Sequence, residues 1–302
     1  MITFHVIYTP GTVVGFSRFA PTLLQEPNCR LRLVSNGCSS AEVSHLQTLC
    51  TAHDRLDFMR LPTETLWHHP VALDHLQSAC DEPYFAIIDS DIFAMGAFLP
   101  DEFSAALTYM LPFAAFWDET EEAFQEQRQR MGCTYVAIYD NAAVTRVREK
   151  SSLGFGKTRW ELLTEEQQQT LESVNFIKRF YDTGKVINAY LLAEGGELEQ
   201  ADAPSLRHLG GISRAQFSRQ GTLVKYVRRM IKYRVIQSPR AMLTRMRRRE
   251  RKVNSGNYFS ELLRALESDG ELPTVPKMHS PYVEEKMGRM SAEIATLYEK
   301  EQ

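Results

Sequence analysis

Asp89-Ser90-Asp91 sets two carboxylates two residues apart, between the apolar runs Tyr84-Phe85-Ala86-Ile87-Ile88 and Ile92-Phe93. A short apolar run that ends in acids reads as a buried strand whose carboxyl end reaches the rim of a core. In open α/β sheets that rim is where ligands are met. Two carboxylates placed there can share one hard divalent cation, and Mg²⁺ held in this way completes its shell with water and substrate phosphates. Asp89 and Asp91 are therefore the expected metal ligands, for Mg²⁺ or Mn²⁺, and a diphosphate is the expected partner of the ion. The plainer reading of Asp89 is a turn or cap acid after a strand.

The elements that must position these acids come before and after them. Residues 4–8, rich in β-branched and aromatic types, read as a first strand closed by Thr9-Pro10-Gly11-Thr12. Residues 31–35 read as a second strand ending at Asn36-Gly37, and Ser40 is expected to cap a helix over 41–52. A third strand over 56–61 and a helix over 73–79 lead into the strand that carries the acids. Such alternation predicts a mostly parallel sheet with right-handed crossovers, and makes the first hundred residues a nucleotide-type α/β half. Asn36 and Asp57 are candidates for contact with a base or ribose, while turn formation accounts equally well for Gly, Asn and Asp in such places.

Further on, 113–117 and 135–139 read as strands, the second ending at Asp140-Asn141, with a charged, helix-compatible stretch over 119–131 between them. Residues 151–157 read as a mobile loop containing Gly154 and Gly156, 164–181 as a helix, and 186–192 as another buried element. Trp160 is either a stacking platform for an acceptor ring or a packing residue. Gly154-Phe155-Gly156-Lys157 lacks the spacing of a phosphate-binding P-loop.

The 302 residues are 43% hydrophobic and 24% charged, which excludes a disordered or fibrous chain. The five cysteines are scattered and never spaced as Cys-x-x-Cys, so they read as reduced packing residues. His68 and His69 have no cysteine or acid at zinc spacing. No apolar stretch is long enough to span a bilayer, and a cytoplasmic protein is the expectation. The net charge of −3 hides an asymmetry: residues 223–252 hold twelve Lys or Arg and only Glu250 as an acid, which is +11 and leaves −14 elsewhere. Apolar residues interleaved with this charge suggest a helix on an anionic membrane surface, peripheral on its inner face, with RNA or an acidic partner helix as rivals.

The order of these features resembles the GT-A class of nucleotide-sugar-dependent glycosyltransferases. The resemblance rests on the amino-terminal α/β half, the Asp-x-Asp of residues 84–93, and Arg207-His208-Leu209-Gly210-Gly211-Ile212-Ser213. It covers roughly residues 1–215. It implies a Rossmann-like GT-A catalytic domain over 1–220, with 1–100 binding the nucleotide and 101–220 the acceptor, and a helical extension over 221–302, basic and then acidic. It also implies that His208 joins Asp91 on the metal, that Asp89 and Ser90 lie nearer the ribose or a metal-bound water, and that the Thr9-Pro10-Gly11 backbone meets the nucleotide.

The implied activity moves a sugar from a nucleotide-diphosphate donor to a hydroxyl on a glycan or glycoconjugate. Its transition state is oxocarbenium-like, and charge grows on the departing phosphate oxygens. Imidazole ligates only when neutral, so activity would fall below about pH 6.5. If the reaction inverts configuration, a carboxylate must take the acceptor proton. Asp118, Glu119, Glu161 and Asp182 are candidates and Asp182 is preferred, with an Asp-Thr-Gly turn as its bland reading. Two other functions stay open: a sugar-phosphate nucleotidyltransferase, which would want a Gly-rich basic loop after the first strand, and a non-enzymatic lipid- or nucleic-acid-binding protein built on the basic helices.

Overall fold

The computed structural model describes residues 1–117, 131–156, 160–176, 182–210, 239–268 and 270–300; between 239 and 253, side chains are described only at Leu243, Arg247 and Arg251. Two compact units divide the chain: Met1–Phe113 with Gln125–Leu206, and Ala114–Phe124 with Arg207–Gln302.

The first unit is mixed α/β, as expected. Its strands are β1 (Ile2–Tyr8), β2 (Cys29–Ser35), β3 (Leu56–Arg60), β4 (Tyr84–Asp89), β5 (Ile92–Ala94), β6 (Leu107–Met110), β7 (Phe113–Ala114, which reaches the second unit), β8 (Val136–Asp140), β9 (Leu198–Ala201) and β10 (Leu206–His208, which also crosses the division). Seven of them form the main sheet, in the order β3-β2-β1-β4-β8-β6-β9. β3, β2, β1 and β4 run parallel, β8 is antiparallel to both β4 and β6, and β9 is parallel to β6. The sheet is thus mostly parallel with one reversed strand. β5, β10 and β7 make a second, small sheet.

The short helices α1 (Val13–Phe16) and α2 (Ala20–Leu23) and the longer α3 (Ser40–Ala52) and α4 (His69–Ser78) connect the first four strands. Strands β1 and β4 are almost fully buried, which is why they read as continuous apolar runs. Ser39 rather than Ser40 caps α3: its hydroxyl accepts from the Glu42 N–H while the Glu42 carboxylate accepts from the Ser39 N–H, a reciprocal capping box.

Helices α5 (Asn141–Ser151), α6 (Glu165–Ser173) and α7 (Lys185–Ala193) follow β8. The strand expected over 135–139, ending at Asp140-Asn141, is β8, and α5 starts directly after it, because the Asp140 carboxylate accepts from the Ala143 N–H as a cap. The expected helix over 164–181 is shorter, stopping at Ser173, and 177–181 lie outside the described residues. The run 186–192 is helix α7, buried nearly all round, so its apolar pattern cannot show a period. Of 113–117, only Phe113 and Ala114 are strand. The stretch 118–130 lies outside the described residues.

In the second unit α8 (Pro239–Glu267) and α9 (Pro281–Lys300) are the long elements. Val283, Met287, Met290 and Ile294 of α9 are fully buried, at alternating spacings of four and three that make one apolar stripe. The Tyr258 hydroxyl of α8 donates to Ser291 Oγ of α9 at 2.8 Å. Much of the basic segment, residues 223–238, lies outside the described residues, and so do the side chains of Arg245, Arg248 and Arg249. Among the described residues no helix is long and apolar enough to cross a membrane.

Candidate metal centre

The sheet order reverses between β1 and β4: β2 and β3 build outward from one, β8, β6 and β9 from the other. Crevices outside the carboxyl ends of strands at such a reversal are the usual ligand sites of α/β sheets. Asp89 is the last residue of β4 and pairs with Ile7, one residue before the end of β1. The Asp-x-Asp therefore stands at the reversal point, with Ser90 in the turn that leads to β5.

β5 begins directly after Asp91, and β10 is its neighbour in the small sheet. The Met95 N–H donates to the Ser205 carbonyl at 2.9 Å and Ser205 Oγ donates to the Ala97 carbonyl at 2.7 Å, which fixes the entry to β10. His208, 2% exposed, ends that strand. Among the described residues, Asp89, Asp91 and His208 form a group whose ligand atoms all lie within 4.8 Å of one another. At bonds of about 2.1 Å, two atoms at right angles on one ion stand about 3 Å apart, so side-chain shifts on the order of 1 Å close the set. Two carboxylate oxygens and one imidazole nitrogen, with no sulfur among them, suit a hard or borderline divalent cation and not a thiolate metal. The residues fit a divalent cation.

Around His208 the packing is aromatic. Phe116 meets the imidazole edge-on at 5.6 Å between centroids and Trp117 does so at 6.4 Å. Gly210, with φ +60°, brings the chain back past the Phe116 ring: a Cβ there would lie 2.0 Å from Phe116 Cε1. The Gly of the His-Leu-Gly sequence is thus required by packing.

The other expected residues are placed as follows. Thr9 begins the turn after β1, where its carbonyl accepts from both the Thr12 N–H (3.1 Å) and the Thr12 hydroxyl (2.7 Å), with Pro10 between. The Gly11 N–H donates to Glu42 Oε1 at 2.6 Å. Burial pushes the Glu42 carboxyl up, but hydrogen bonds from Ser39 and Gly11 more than offset this and hold it below the ordinary carboxylate range. Asn36, 1% exposed, follows β2 at the same rim. Asp57 sits near the start of β3, opposite Arg32, and accepts from Arg32 Nε at 3.0 Å. Three residues of strand, about 10 Å, separate it from the rim at Arg60.

Asp182 lies just before α7, where its Oδ1 accepts from the Thr183 N–H and its carbonyl from the Lys185 N–H. Beside it Lys185, 8% exposed, donates from Nζ to the Gly132 carbonyl. Burial pulls the Lys185 ammonium down, and the nearby Cys133 and Asp182 act the other way. Burial pushes the Cys133 thiol up to about 11, with Lys185 and Asp89 among the charges it feels. Glu161 is exposed on a short 3-10 turn, and Trp160 packs against the main core. Asp118 and Glu119 lie outside the described residues. Lys185, Glu42 and Arg207 were not singled out by the sequence; only the Ser39-x-x-Glu42 spacing carried a usable signal.

No protein-family model matches the chain, and no curated protein matches it. Solved structures do. The galactosyltransferase LgtC, in complex with donor and acceptor sugar analogs, is 12% identical over 66% of this chain and 73% of its own, with a TM-score of 0.40. The mannosyltransferase PcManGT from Pyrobaculum calidifontis, in complex with GDP-Man and Mn²⁺, is 11% identical over 98% of this chain and 87% of its own, at 0.42. S. aureus TarS 1-349 is 10% identical over 100% and 92%, also at 0.42. The likeness is distant, and the reading of the site rests on Asp89, Asp91, His208 and the strands that carry them.

Proposed function

We propose that the protein is a metal-assisted glycosyltransferase that moves a sugar from a nucleotide-diphosphate donor to a hydroxyl acceptor, in polysaccharide or glycoconjugate synthesis. The observation that carries this reading is the convergence of Asp89, Asp91 and His208 at the point where the sheet order reverses. In the proposal these three residues hold Mn²⁺ or Mg²⁺, which when bound offsets the negative charge that grows on the departing diphosphate. Thr9 and Pro10 line the nucleotide side, with Ser90 beside the ribose, and Asn36, whose buried amide is taken up by Trp67, stands behind them as a support. Asp57, tied to Arg32 below the rim, is the weakest member of that set.

Asp182 is the proposed base for an inverting reaction: its carboxylate takes the acceptor hydroxyl proton as that oxygen forms its bond to the anomeric carbon and the carbon–phosphate oxygen bond breaks. Residues 1–220 are proposed as the catalytic domain and 221–302 as a helical extension. The basic segment 223–252 is proposed to sit on an anionic membrane surface from the cytoplasmic side.

A thermal-shift panel of UDP-, GDP-, CMP- and dTDP-sugars with and without Mn²⁺ tests the proposal, on the native chain and on Asp91→Ala. A metal-dependent rise in melting temperature with one donor class, absent in Asp91→Ala, is the expected result. No shift with any donor would remove the transferase reading, and release of pyrophosphate from a nucleoside triphosphate and a sugar phosphate would replace it with a nucleotidyltransferase. Liposome binding that survives replacement of Arg245, Arg247, Arg248 and Arg249 by Ala would end the membrane proposal.

A further inference from the structure

The two residues that flank the imidazole in sequence and in space are both tied to one helix. Arg207, 5% exposed, turns its guanidinium onto Glu293 of α9: Nε donates to Oε2 at 2.6 Å and Nη2 to Oε1 at 3.0 Å. Successive strand residues point to opposite faces, so this pair grips β10 from the side opposite the imidazole. Two turns earlier on α9, Lys286, 4% exposed, donates from Nζ to the Trp117 carbonyl at 3.0 Å. Trp117 and its neighbour Phe116 are the rings that meet His208 edge-on.

Positions 286 and 293 are seven apart and therefore lie on one helix face. The apolar stripe of Val283, Met287, Met290 and Ile294 already supplies the packing of α9. Burying a lysine and an arginine beside it adds a desolvation cost that apolar residues of similar size would avoid. What the charged pairs add is direction: a forked, two-bond contact fixes the orientation of Arg207, and a third hydrogen bond fixes the backbone behind the rings.

We infer that α9 is the outer support of the third metal ligand, and that Glu293, through Arg207, and Lys286, through the Trp117 carbonyl, are positioning residues for His208. This rests on the metal reading proposed above. Partners that orient a metal ligand typically change metal affinity 10- to 100-fold when removed.

The test is a Mn²⁺ titration of the full chain, followed by the electron paramagnetic resonance signal of the free ion, without nucleotide. It compares the native chain with Glu293→Gln, Lys286→Met and Arg289→Gln, each also melted without metal. Arg289 touches the same Glu293 carboxylate at 3.2 Å but from an exposed position. The expected result is an affinity loss of about 10-fold or more in Glu293→Gln, a smaller loss in Lys286→Met, and affinity within about twofold of native in Arg289→Gln. Native affinity in both Glu293→Gln and Lys286→Met overturns the inference and leaves the metal site standing, as does an equal loss in Arg289→Gln. Absence of Mn²⁺ binding by the native chain overturns the metal reading and this inference with it. If Glu293→Gln does not fold, Lys286→Met decides.

Discussion

Asn36 and Trp67 exchange two hydrogen bonds: Asn36 Nδ2 donates to the Trp67 carbonyl at 3.0 Å, and the Trp67 N–H donates to Asn36 Oδ1 at 2.9 Å. The residue that ends β2 thereby holds the segment that leads into α4, and it does so while almost fully buried. Removing it leaves the part-buried N–H and carbonyl of Trp67 without their partner, which costs about 1–3 kcal/mol. Asn36→Ala should lower the unfolding free energy by an amount in that range, read as a lower urea midpoint at unchanged slope, with or without nucleotide. An unchanged midpoint would show that water replaces the amide at no cost.

Gly210→Ala should destabilise the second unit. The residue adopts φ +60°, where a side chain costs roughly 1–2 kcal/mol in backbone strain alone, and its Cβ would meet the Phe116 ring. Because Phe116 packs on His208, the same substitution should weaken Mn²⁺ binding. Calorimetric melting and the Mn²⁺ titration, made on one preparation, check both.

His5 makes the main sheet sensitive to mild acid. It is 3% exposed, its Nδ1 bonds the Ala86 carbonyl at 3.0 Å, and burial pulls its pKa below the ordinary value of 6.5. The unfolded chain therefore binds a proton at higher pH than the folded one, so stability is full above about 6.5 and declines as pH falls below it. Melting temperatures taken between pH 7.5 and 5.5 should drop in the native chain and drop less in His5→Phe. Parallel pH profiles would contradict the assignment.

Glu293 acts in a more acidic window. Burial pushes its carboxyl up, but hydrogen bonds and charge from Arg207 and Arg289 outweigh this and hold it below the usual carboxylate value. Its contribution is present above the unfolded value of about 4.3 and is lost as pH falls through the lower folded one. Glu293→Gln should therefore flatten the loss of stability between about pH 5 and pH 3, which acid titration followed by circular dichroism would show.

What the sequence made legible were the parts with local signals. β1 to β4, the capping region before α3 and the Asp-x-Asp all announce themselves through apolar runs, turn residues and acid spacing. α5 was missed because its cap, Asp140, also looks like a turn residue; α7 was legible as a buried element but not as a helix, because a helix buried nearly all round has no polar stripe. The contacts Arg207–Glu293 and Gln77–Asn141 join residues far apart in the chain, and nothing in either neighbourhood points to the other. Asn36 was legible as a rim residue but its partner was not: whether an amide at a strand end faces a ligand or a loop is decided by where Trp67 lands.

The reversed strand β8 has a consequence for how the chain comes together. β4 carries Phe85, Ala86, Ile87 and Ile88, and its far side is covered only by β8, whose partners Val136 to Asp140 are made much later. As the chain grows from its amino end, β1 to β4 can pair locally while that apolar edge stays open. An uncovered edge of this kind templates pairing with other chains. Synthesis through residue 140 is thus the step that lets β8 close this edge of β4.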